Sequence, residues 1–158
     1  MLPKHADAGN RCRWRPTARS LDRADRDEKP RMADADSDFD GCVIGESLRN
    51  PTVVNRLRVW RAWISPDDVL TDDQGTMTRW HIYWVSCRSA EIDRIQAELK
   101  PWRWYAHFWR GDQMIVIYHD TRFEMDRADR STWTPAIEHG KAKGIPDEQL
   151  DFLILPRS

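Results

Sequence analysis

The chain has 158 residues, 25 basic against 26 acidic side chains, nine tryptophans and three cysteines, a length that fits one domain able to hide about two thirds of its unfolded surface. The balanced charge excludes a broadly basic, phosphate-attracting protein. The distant Cys12, Cys42 and Cys87 exclude a disulfide framework or zinc knuckle, and no apolar run reaches signal-peptide or membrane-spanning length, so a cytoplasmic protein is expected.

Residues 1–50 hold twenty charged side chains, ten of each sign, and six of the Val, Ile, Leu and Phe class. That is too little apolar surface to offset chain entropy, and this segment is expected to be a disordered tail. Its basic cluster "RCRWRPTAR" at 11–19 is neutralised by the "DRADRDE" that follows. Met32 is a candidate second translation start.

Residues 51–158 are expected to form the folded domain, since fourteen of the sixteen aromatic residues lie there. A first strand spans 56–64, "RLRVWRAWI", and a second spans 78–86, "TRWHIYWVS", pairing as an antiparallel hairpin with a long loop. Ser89 caps a helix carrying Ile92, Ile95 and Leu99 on one side, and Pro101 ends it. Two more strands flank the turn at Gly111, in "PWRWYAHFWRGDQMIVIYHD" (101–120). A second helix starts near Ser131 or Thr134, with Pro135 in its first turn, and stops at Gly144 before Pro146. The terminal "DFLIL" is a candidate last strand. The order ββαββα predicts an α+β fold: a four-stranded antiparallel, ferredoxin-like sandwich with two helices on one face.

A two-residue turn places Tyr105 opposite Tyr118, His107 opposite Val116 and Trp109 opposite Met114. One face then carries Trp104, Ala106, Phe108, Ile115, Ile117 and His119, and suits a helix-covered core. The other carries Tyr105, His107, Trp109, Met114, Val116 and Tyr118, whose rings with polar tips suit a contact surface. Its cover is the amino-terminal segment, a second copy of the chain, a small-molecule or peptide ligand, or single-stranded RNA.

Tyr105, His107, Trp109 and Tyr118 are therefore the candidate binding residues, in a domain that acts by binding or by self-assembly as a homodimer. A small-molecule enzyme with His107 as acid or base is the alternative. "RWYAHFWR" (103–110) partly matches an RNA-recognition octamer, but Trp104 stands where that motif needs glycine. Four scattered histidines, His81, His107, His119 and His139, give no metal-ligand cluster, and no phosphate-binding glycine loop implies a nucleotide cofactor.

"WYAHF" (104–108), Trp133 and "AIEHGKAKGIPDEQLDF" (136–152) resemble the closing half of a family of small bacterial proteins of unknown function. The resemblance implies a compact α+β domain from about Val53 to Phe152 and transfers no functional residue.

Overall fold

The computed structural model describes residues 38–157, so the basic cluster at 11–19, Cys12 and Met32 lie outside the described residues. Among those described, the elements run β1 (Phe39–Ile44), β2 (Arg58–Ile64), β3 (Val69–Leu70), β4 (Met77–Thr78), β5 (His81–Cys87), α1 (Ser89–Glu98), β6 (Tyr105–Arg110), β7 (Gln113–Tyr118), β8 (Arg122–Asp126) and α2 (Thr134–Ala142). Six strands form one antiparallel sheet in the order β2-β5-β1-β6-β7-β8, and β3 with β4 makes a separate ribbon. The four-stranded ferredoxin-like sheet is thereby corrected to six strands.

The two extra strands explain the difference. β1 falls in the stretch assigned to a charged tail, yet it joins the two hairpins by pairing with β5 on one side and β6 on the other. Its Asp40 and Gly41 are poor strand formers, but Gly41 is there for space. A Cβ at that position would lie 2.2 Å from Cδ1 of the buried Phe108 on β6. β8 adds the far edge by pairing with β7, Phe123 lying opposite Val116.

The expected hairpins are otherwise present. β2 pairs antiparallel with β5, Trp63 opposite Ile82, with an irregularity between Val59 and Arg61. β6 and β7 pair with Tyr105 opposite Tyr118 and Trp109 opposite Met114, around Gly111 at φ 57°. Positive φ at the first turn position is what glycine supplies without strain.

The helices pack on opposite faces, which corrects the one-sided sandwich. α1 buries Ile92 and Ile95, with Leu99 just beyond its end, against Val43, Val85, Ala106, Phe108, Ile115 and Ile117. Its first turn is closed by the Glu91 carboxylate, which accepts the backbone N–H of Arg88 at 2.6 Å; Arg88, not Ser89, is the capping residue. α2 and the residues after it lie on the other side, where Trp133, Ala136, Ile145, Leu150 and Phe152 pack on Met114, Val116, Tyr118 and Met125. No helix among the described residues is long and apolar enough to cross a membrane.

Gly140 sets how closely α2 approaches the sheet. A Cβ there would sit 2.5 Å from Cδ2 of Leu150 and 2.7 Å from Oη of Tyr118, and that hydroxyl is held by donating to the Ala136 carbonyl at 2.8 Å. Alanine gains about 1 kcal/mol of helix propensity over glycine, whereas overpacking a rigid site costs about 1–3 kcal/mol. Gly140→Ala is therefore expected to lower the urea midpoint; a raised midpoint would show that α2 can lift from the sheet freely.

Candidate functional site

The structure gathers the four candidate residues on one side of the β6–β7 hairpin. The His107 ring stacks on Trp109 at 5.6 Å, and the Tyr105 ring lies 6.0 Å from both His107 and Tyr118. The chain's own carboxyl-terminal part covers most of this surface. Tyr118 is fully buried beneath α2, and Tyr105 donates its hydroxyl to the Gln149 carbonyl.

From Asp151 to Arg157 the backbone crosses this face as a strap without strand pairing, rather than adding a last strand. Phe152 turns it, at φ 44°, in the left-handed region that costs an L-residue about 1–2 kcal/mol. The ring gained is fully buried, 5.4 Å from Tyr105, 5.7 Å from Trp133 and 6.1 Å from His107. The Leu153 carbonyl meets Nε2 of His107 at 2.9 Å. Leu155 packs with Trp84 and Trp109, and Arg157 ends the strap on the Asp40 carboxylate and the Ser86 hydroxyl.

This cover sets the protonation states. Burial lowers His107 from 6.5 to about 4, only partly opposed by its bond to Leu153. Burial, with a smaller contribution from the Asp151 charge, pushes the Cys42 thiol up to about 12. Burial likewise raises the Tyr105 hydroxyl. Cys42 stands opposite His107 in the β1–β6 ladder, but a protonated thiol beside a neutral imidazole is the reverse of an activated nucleophile pair.

The strap stops short of one end of the sheet. β1 finishes there while its antiparallel neighbours β5 and β6 begin, so Ile44, Ile82 and Tyr105 come together. A cavity of about 180 Å³ opens over this end. Its walls are Cys42, Ile44, Trp80, Ile82, Trp84, Trp104, Tyr105, His107 and Leu153, and Arg103, Gln149 and Asp151 complete its lining. The Trp80 and Trp104 rings meet at 5.5 Å, and Trp102 sets its edge against Trp104 at 5.8 Å. The indole N–H groups of Trp80, Trp84 and Trp104 are buried without an acceptor, and each such group carries a desolvation cost of about 1–3 kcal/mol.

Two of the four candidates, Tyr105 and His107, thus line a cavity, while Trp109 and Tyr118 lie under the strap and α2. The alternation of Ile82 and Trp84 was the available signal for the wall on β5, which Trp80 precedes by one residue; Arg103 and Asp151 carried none, because each is an isolated charge in a loop. Among the described residues no three His, Cys, Asp or Glu side chains are grouped to hold a metal ion. No family model, curated protein or solved structure matches the chain.

Proposed function

We propose that the domain is a binding module that takes a small, flat, largely apolar molecule into the cavity between the sheet end and the strap. The observation that carries this reading is the cavity of about 180 Å³ walled by Trp80, Trp84, Trp104, Tyr105 and His107. A cavity of roughly 150 Å³ lined by apolar groups holds benzene, so one or two fused rings match the space. Binding is favoured over catalysis because His107 is tied to the Leu153 carbonyl and held neutral.

Isothermal titration with indole tests the reading. Saturable heat is expected from the native chain, and Ile44→Phe, which adds a ring to the cavity from its half-buried wall, is expected to abolish it without loss of thermal stability. Equal binding by both proteins would remove the cavity from the function.

Self-assembly is a second reading with its own support. The edge strand β2 exposes Val59 and Ile64, at 40% and 51%, beside the half-buried Trp60 and Trp63. Light scattering is expected to give twice the 18.7 kDa chain mass, reverting to one with Ile64→Lys. A native monomer at all concentrations would contradict it.

A further inference from the structure

We propose that the occupant of this cavity is a free aromatic amino acid, its ring between the tryptophan walls, its carboxylate on Arg103 and its ammonium on Asp151. This inference rests on the cavity being a small-molecule site and adds the chemistry of the ligand's polar end.

Two charges stand at the mouth of this site without ion-pair partners of their own among the described residues. Arg103 and Asp151 both line the cavity, both are exposed, and neither makes an ion pair among the described residues. Other charges near the same end are engaged: Glu46 with His81 at 2.6 Å, and Lys143 with Asp120 at 2.9 Å. Arg103 is also placed. Its guanidinium carbon lies over the Trp102 ring, 5.4 Å from the ring centre, a cation–π contact that positions the group, and its N–H fork has no hydrogen-bond partner among the described residues and is available to a planar carboxylate. Gly144, at φ 80°, makes room for it, since a Cβ there would come within 3.2 Å of Nε. The Asp151 charge reaches the cavity wall, where it contributes to raising both Cys42 and Tyr105.

Opposite charges on one lining select against singly charged rings. An aromatic acid lacking the amine leaves Asp151 facing a carboxylate, and an aromatic amine lacking the acid faces Arg103. A zwitterion satisfies both, and the cavity volume limits the remainder of the molecule to a ring.

Titration calorimetry on the full chain separates the possibilities with four probes: tryptophan, tryptamine, indole-3-propionate and indole. Tryptophan is expected to bind about tenfold tighter than either singly charged analogue, the worth of one charge-assisted pair. Arg103→Gln is expected to erase the advantage over tryptamine, and Asp151→Asn the advantage over indole-3-propionate. If indole or a singly charged probe binds as tightly as tryptophan, the inference is overturned while the small-molecule site stands. If none of the four binds, indole included, the site itself is overturned.

Discussion

Replacing Phe152 by alanine is expected to cost about 3–5 kcal/mol, the range for removing a buried phenylalanine ring. The ring is 1% exposed and touches the Tyr105, His107 and Trp133 rings at once, so its loss opens a cavity that three fixed neighbours cannot close. Its backbone supplies a second arm to the experiment. At an ordinary position glycine is less stable than alanine, but at φ 44° alanine keeps a left-handed penalty of about 1–2 kcal/mol that glycine avoids. Phe152→Gly is therefore expected to be no worse than Phe152→Ala in urea unfolding. Losses below 1 kcal/mol for both would show that the strap does not seal the face in solution.

Acid is expected to destabilise the fold through His107 at a higher pH than through Asp120. The folded-state value of about 4 lies below the unfolded value of 6.5, so between these limits the unfolded chain binds the extra proton. Stability is complete above pH 6.5 and falls as pH drops towards 4. A shift of that size corresponds to a loss on the order of 3 kcal/mol. Asp120, lowered to about 2, chiefly by its bond from Lys143, acts in a separate and lower window. His107→Gln offers an N–H to the Leu153 carbonyl and does not titrate. Its unfolding free energy is expected to be flat from pH 6.5 to 4, where that of the native chain declines; parallel curves would mean that His107 is open to water.

The hairpin from Tyr105 to Tyr118 and helix α1 were legible because their signals are local. A glycine at the turn and strict alternation fix the register, and Ile92, Ile95 and Leu99 repeat at helical spacing. β1 was hidden because its reasons are distant: Gly41 answers to Phe108, 67 positions away in the chain. β8 has an apolar alternation of only two residues, Phe123 and Met125, among charges.

The candidate site was half legible for the same reason. Alternation correctly sorts Tyr105, His107, Trp109 and Tyr118 onto one face, but it says nothing of which part of that face α2 and the strap take. The strap's "FLIL" reads as a strand by composition. The left-handed turn at Phe152 instead sends it over the sheet, with Leu155 against Trp84 and Trp109.

The central claim is that the strap covers the aromatic face except at one end, which stays open for a flat ligand. Following the indole N–H signals of the nitrogen-15-labelled chain during titration with indole tests it most directly. The signals of Trp80, Trp84 and Trp104, whose N–H groups lack acceptors, are expected to move together and saturate. That of Trp133, which donates to the Asp126 carbonyl at 2.8 Å, is expected to stay. Movement of Trp133 with the other three, or no movement at all, would contradict the account.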